Sequence, residues 1–547
     1  MRMISKIKSP SALKSSTSSL FNRFQHDQDG AMSYVAVTGA LIMMVFGGIG
    51  IDMIHAELKR NKVQNTLDRA VLAAANMDNT MDPQFVVQEY FRAMDMTDAL
   101  TGVAVDQSLN YKRVTADGNA TMPSNFMSLL GVDTLQAAGR ATAEHGLTKI
   151  EISLVLDVSG SMGGNKIRQL RDAAKGFVDL MLPEDGSDMV SISVVPYNAT
   201  VNLGDTISQY FNLNDVHDYS SCATFETSDF TSTAVDPSEE LGRLAHFDPY
   251  NYRSSDGQIS SPWCATGNTS AMIAHSSDAD SLKAHIDSLN AGGNTAIDLG
   301  MKWGAALLDP AARPAVQALS VAGYVAPEHS SRPAAYADNE TLKFVVVMTD
   351  GQNTTQFDLK SDLKFGLSEI WVDTRGTEDR GDDRYSVRVI DNPTGDDTYY
   401  WVRHANNPVS SRYKNKPDGP ENSDNVYQMT NADVYSRFST RSVASTFFYP
   451  PYRDGYLSYN TYVDNYYAYV ATVDGAQADN NLSTVCQSAR DNGVVVYAIG
   501  VEAPQAGLNA MQDCASSQAH YFDVQGGDLN DTFSSIARSL QMLRLTQ

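Results

Sequence analysis

Asp157, Ser159 and Ser161 stand in the spacing D-x-S-x-S within Ile150–Met162, IEISLVLDVSGSM. One carboxylate and two hydroxyls at alternate positions of a tight loop can face a single hard divalent cation, with water filling the remaining positions. Gly160 allows the backbone to fold closely around that point. The preceding run of Ile150, Ile152, Leu154, Val155 and Leu156 is nearly continuous in apolar side chains. It predicts a strand covered on both faces that ends at the polar loop.

Two later stretches supply further oxygen donors. AGGNTAIDLG carries Thr295, set by Gly292 and Gly293 at the start of a helix, and KFVVVMTDGQN carries Asp350 after a second apolar strand, Phe344–Met348. In this order the three stretches resemble the metal-ion-dependent adhesion site of von Willebrand factor type A domains. The resemblance implies that the hydroxyls of Ser159, Ser161 and Thr295 contact Mg²⁺ or Mn²⁺. It implies that Asp157 and Asp350 hold the ion directly or through water. It also implies a protein partner that offers a carboxylate to the ion, and a closing helix, here Leu529–Leu540, that shifts when the partner binds.

The elements that must position these residues follow from periodicity. Ile167, Leu170, Ala174, Phe177, Val178 and Met181 form a helical stripe after the first loop. Met189–Pro196 reads as the next strand, Ala279–Leu289 and Ala296–Leu308 as helices flanking Thr295, Val494–Ile499 and His520–Val524 as late strands, and Leu529–Leu540 as a closing helix. Strands alternating with helices imply a mainly parallel, doubly wound α/β sheet, Rossmann-like in architecture. Ligands gather at the carboxyl ends of such strands, where Asp157 and Asp350 fall. Two segments interrupt the alternation, residues 204–278 and residues 353–479. The second holds 14 of the chain's 26 Tyr. Both are expected to rise around the cation face, either as a recognition collar or as folded decorations that pack their own tyrosines.

At 547 residues the chain is too long for one ordinary core, and 42% hydrophobic with 19% charged residues are globular values. A net charge of −24 argues against nucleic acid as a partner. The four cysteines, Cys222, Cys264, Cys486 and Cys514, show no C-x-x-C spacing, which speaks against a zinc or thioredoxin-like site. The two local pairings, Cys222–Cys264 and Cys486–Cys514, would fit an oxidising compartment; four free buried thiols are the alternative.

Residues 1–30 are basic and Ser-rich and read as a disordered tail. Ala31–Ile51 holds no charged residue, and 21 residues at about 1.5 Å each span roughly the 30 Å of a bilayer core. The basic flank predicts a single anchor over residues 31–54, with the N-terminus cytoplasmic and the chain after Asp52 outside. A helix continues through Asn76, with Leu58, Leu67, Ala70, Val71 and Ala74 on one side. The stretch GAMSYVAVTGALIMMVFGGIGIDMIHAELKRNKVQNTLDRAVLAAA resembles the N-terminal segment of TadG-like proteins of the bacterial tight-adherence (Flp) pilus systems. The resemblance implies a bacterial inner-membrane protein with pilus or secretion-system components as partners, its C-terminal domain periplasmic or at the cell surface. Related pilins are cut after such a Gly and carry Glu five residues on; here that position is Val35, so Gly30 is expected to stay unprocessed.

The resulting division is a basic tail at 1–30, the anchor at 31–54, a TadG-like helix with a small α+β module at 55–146, and a type A domain at 147–547. In the module, Gln84–Met94 reads as a helix, Gly102–Tyr111 and Lys112–Met122 as paired strands, Ser124–Leu130 as a short helix and Thr134–Glu144 as a strand of small residues. Catalytic signatures are missing from the sequence. There is no G-x-x-x-x-G-K-[ST], no H-E-x-x-H and no G-x-S-x-G. His217, His246 and His275 read as surface residues, and the acidic runs at 378–383 and 396–397 as solvated loops. The chain therefore reads as a non-enzymatic assembly or adhesion protein. Two further readings are a matrix-binding adhesin unrelated to pili and a non-catalytic type A subunit of an ATPase-driven complex.

Overall fold

The computed structural model describes residues 30–76, 81–108, 111–146, 149–182, 189–251, 259–338, 340–390, 397–402, 412–526 and 529–546. The basic tail, through residue 29, and Asp396 lie outside the described residues. Two compact units divide between Leu147 and Thr148.

The first unit begins with helix α1, Gly30–Ala75, and continues through helix α2, Pro83–Ala93, to strands β1, Leu100–Ser108, β2, Tyr111–Pro123, and β3, Thr134–Gly146. The strands form an antiparallel sheet in the order β1-β2-β3. Asp82 caps α2, accepting from the Gln84 N–H, and Pro83 opens it, where a missing N–H costs nothing. Val63, Leu67, Ala70, Val71 and Ala74 of α1 share a core with Val87 and Phe91 of α2 and with Val114, Ala116, Ala137 and Ala141 of the sheet. The paired Gly118 and Gly139 mark the closest approach of the helix: a Cβ on either would lie about 3 Å from Val63 or Leu67 side-chain atoms. Small strand residues thus serve helix packing. Leu58 departs from the expected stripe and is exposed, because it lies N-terminal to the stretch that the sheet covers. The segment Met32–Ala75 is long and apolar enough to cross a membrane, and only 6% of its most apolar window is buried.

The second unit holds, in chain order, β4 Lys149–Asp157, α3 Asn165–Met181, β5 Val190–Tyr197, β6 Ile273–Ser276, α4 Ala279–Ser288, α5 Ile297–Ala306, β7 Thr341–Thr349, α6 Gly475–Asp491, β8 Val495–Val501, α7 Gln505–Cys514, β9 Tyr521–Val524 and α8 Leu529–Thr546. Among the described residues these strands form one sheet in the order β9-β8-β7-β4-β5-β6. All neighbours are parallel except β5 and β6. Helices cover both faces. Val155, Val345, Val347, Val496 and Ala498 share a core with Trp303 of α5, Val485 of α6 and Met511 of α7. The alternate residues Leu154, Phe344, Val346 and Tyr497 are also buried. Tyr497 reaches Ser539 of α8 at 3.3 Å, and Phe177 of α3 meets Phe533 of α8 edge to face at 5.9 Å. Such two-sided cover explains why β4 and β7 are buried almost throughout and carry their apolar residues in nearly continuous runs.

The two interruptions are folded, and they share one core. Cys222, Leu244, Phe247 and Trp263 from the first pack with Ile370, Val372, Tyr435 and Phe447 from the second. The second contributes an antiparallel five-stranded sheet whose central strands are Leu367–Asp373 and Arg384–Ile390. Its tyrosines largely pack on one another: Tyr452 and Tyr462 stack at 5.7 Å, and Tyr413 and Tyr456 at 3.8 Å. Both expected disulfides are formed, Cys222–Cys264 and Cys486–Cys514. The three histidines are buried rather than superficial. His217 meets the Leu244 carbonyl at 2.8 Å, His246 the Ser220 hydroxyl at 3.0 Å, and His275 both the Ser191 hydroxyl at 3.0 Å and the Leu307 carbonyl at 2.7 Å. These partners satisfy neutral imidazoles. Asp383 likewise departs from the solvated-loop expectation, being buried against the Arg437 guanidinium at 2.8 Å.

Candidate metal centre

Three chain segments meet at the carboxyl ends of β4 and β7. The D-x-S-x-S loop is stitched to the GGN loop by backbone bonds, Gly160 N–H to the Gly293 carbonyl at 2.9 Å and Gly292 N–H to the Val158 carbonyl at 2.8 Å. Gly293 adopts φ +80°, a conformation that favours glycine. The Asn198 side chain donates to the Gly292 carbonyl at 3.0 Å, and the Asn198 backbone carbonyl accepts from Ala296 N–H at 2.7 Å. The segment after β7 closes the ring. Thr354 N–H donates to the Thr295 carbonyl at 2.9 Å, and Asn353 Oδ1 accepts from Ile297 N–H at 2.7 Å at the start of α5.

Within this frame the five sequence-predicted residues come together. The Ser159 and Ser161 hydroxyls lie 3.0 Å apart, and Ser161 donates to Asp350 Oδ1 at 2.5 Å. A Cβ placed on Gly351 would stand 3.3 Å from Thr295 Oγ1 and 3.8 Å from Ser161 Oγ, so both hydroxyls border one point. Asp157 accepts the Ser159 N–H on Oδ1 at 2.7 Å and the Thr349 hydroxyl on Oδ2 at 2.7 Å. Burial pushes its carboxyl up to about 6.

Four contributors carried no sequence signal. Lys166, at the start of α3, donates to Asp350 Oδ2 at 2.8 Å and places an ammonium beside the carboxylate. Asp298, in the first turn of α5, is fully buried, accepts from Gln356 at 2.9 and 3.0 Å, and is pushed up to about 6 by burial. Gly507 of α7 packs so tightly under the loop after β7 that a Cβ there would run into the Gly351 carbonyl. Tyr250, from the first interruption, donates to Asn294 Oδ1 at 2.9 Å, beside Thr295. All four are contacts across long sequence separations, which a local pattern cannot register.

Three hydroxyls and two carboxylates are hard oxygen donors, the chemistry that suits Mg²⁺ or Mn²⁺. Among the described residues no group of three or more His, Cys, Asp and Glu stands together, so a soft, imidazole- or thiolate-rich site is not built here. The residues present therefore fit a hard divalent cation, which would share Asp350 with the Lys166 ammonium.

Comparison with known proteins gives the following. No curated protein matches the chain. Among solved structures it is similar to the vWF domain of the type V pili tip protein Mfa5 from Porphyromonas gingivalis, at 16% identity over 73% of this chain and 97% of that one, with a TM-score of 0.32. It is similar also to the pilus adhesin SpaC from Lactobacillus rhamnosus GG, at 14% identity over 80% of this chain and 34% of that one, with a TM-score of 0.30. A third is the adhesive tip pilin GBS104 from Group B Streptococcus agalactiae, at 11% identity over 72% of this chain and 100% of that one, with a TM-score of 0.30. Residues 30–77 match the family model Tad, described as Flp pilus-assembly TadE/G-like, so this segment is similar to that family.

Proposed function

We propose that this chain is a membrane-anchored, extracytoplasmic protein of tight-adherence (Flp) pilus assembly or adhesion, which binds a protein partner through a metal-ion-dependent adhesion site. In this reading residues 1–30 are a cytoplasmic tail, 31–54 the inner-membrane anchor, 55–146 the TadG-like helix and module, and 147–547 a doubly wound type A domain with insertions. The observation that carries it is the convergence of Asp157, Ser159, Ser161, Thr295 and Asp350, from three distant segments, at the carboxyl ends of parallel strands. The match of residues 30–77 supplies the pilus context.

When bound, Mg²⁺ or Mn²⁺ supplies an electrophilic centre for a partner's carboxylate oxygen. The protein's part is to hold three hydroxyls and Asp350 together at the strand ends while Asp157, tied to Ser159 and Thr349, fixes the loop. Surface pili and cell attachment should be compared in a deletion strain, an Asp350→Ala strain and the parent. The reading predicts that both altered strains lose pili or attachment while the substituted protein stays at parental abundance. Parental behaviour of the Asp350→Ala strain would overturn it.

A further inference from the structure

The turn between β2 and β3 is apolar where a surface turn is ordinarily polar. Residues 123–132, PSNFMSLLGV, contain no charged side chain. Met127–Leu130 forms one turn of 3₁₀-helix, closed by Gly131 at φ +82°. Leu129 and Leu130 are 70% and 63% exposed.

This turn is fastened to α1 at one level. The Asp52 carboxylate is buried and accepts three consecutive backbone N–H groups, from Asn125 at 3.2 Å, Phe126 at 2.7 Å and Met127 at 2.9 Å. One helical turn earlier, Phe126 lies on buried Gly48, so closely that a Cβ on Gly48 would run into the ring. Both attachment points sit at the outer end of the uncharged run 31–51, whose side chains, among them Leu41, Met44 and Phe46, are exposed. Leu129 and Leu130 lie only two and three residues beyond Met127, within roughly 7–11 Å of chain. The carboxylate that ends the run is thus spent on the turn's own backbone, which removes an unpaired charge from the edge of the span.

We propose that this turn is a second membrane contact: Leu129 and Leu130 enter the outer interfacial layer of the bilayer that α1 crosses, and so fix the tilt and depth of the sheet module. The occupant is lipid, because the turn is fastened to α1 at Gly48 and Asp52, at the end of the exposed apolar run, and carries no charge for a polar partner. The proposal rests on the reading of residues 31–51 as a membrane span.

The test uses the full chain reconstituted in phosphatidylglycerol–phosphatidylethanolamine vesicles. All four native cysteines are in disulfides, so single introduced cysteines can carry a nitroxide label. Leu130→Cys, Val37→Cys in the run and Ala138→Cys on the exposed face of β3 are compared for collision with oxygen and with a water-soluble nickel chelate. Leu130 and Ala138 are exposed, so neither change threatens folding. The proposal predicts that labels at 37 and 130 both favour oxygen severalfold, while the label at 138 favours nickel. A label at 37 in lipid with one at 130 in water would overturn the interfacial contact and leave the anchor intact. A label at 37 in water would overturn the anchor, and the proposal with it.

Discussion

Asp350 is engaged on both oxygens, by the Ser161 hydroxyl at 2.5 Å and by the Lys166 ammonium at 2.8 Å. A divalent cation arriving there meets a positive charge already in place. Lys166→Met should therefore raise Mn²⁺ affinity by roughly fivefold, about 1 kcal/mol, as read by titration calorimetry. Gly507 acts from the other side. Gly507→Ala forces a methyl against the Gly351 carbonyl and should cost about 1–3 kcal/mol of stability while weakening cation binding. A third residue governs acid sensitivity. His275 faces Glu151, Arg332 and Lys343 at the opposite end of the sheet, and burial pushes its imidazole from 6.5 down to about 4. Between those values the unfolded chain binds a proton that the folded chain does not, so this contribution to stability is lost as pH falls from about 6.5 to about 4. Asp157 and Asp298, pushed up to about 6, act in the opposite sense over part of that range. The measurement is accordingly a difference: denaturation of the parent minus that of His275→Asn, chosen because His275 has φ +43° and Asn tolerates that region. The difference should decline by up to about 3 kcal/mol across the window.

The elements of the sheet were legible wherever burial on both faces imposed a continuous apolar run. Ile150–Leu156 and Phe344–Met348 became Lys149–Asp157 and Thr341–Thr349, and the stripe from Ile167 to Met181 became the helix Asn165–Met181. The edge strand Ile273–Ser276 left no such trace: four residues, two of them polar, pairing antiparallel on one side only. The shared core of the two interruptions was equally silent, because it joins Leu244 and Phe247 to Val372 and Phe447 across more than a hundred residues. At the candidate site the donors were legible through their spacing, whereas Lys166, Asp298 and Gly507 gain their roles only once the strands align. The disulfide Cys486–Cys514 links α6 to α7, the helix that carries Gly507, and closes a loop of 28 residues. Replacing both cysteines by serine should cost about 3 kcal/mol in denaturant unfolding. It should also weaken cation binding, since α7 braces the loop after β7.

For the molecule as a whole, the account requires that the acidic bulk of the chain and the uncharged run at 31–51 lie in different surroundings. An alkaline phosphatase reporter joined after residue 76 should be active in the periplasm, and one joined after residue 25 inactive. Above all it requires that distant hydroxyls and carboxylates act as one cation site. Titration of the detergent-solubilised full chain with Mn²⁺ tests this most directly, alongside Thr295→Ala and Asp350→Ala proteins whose unfolding transitions match the parent. The account predicts one ion per parent chain and at least tenfold weaker binding in each variant; a folded parent that takes up no ion, or variants that bind as the parent does, would contradict it.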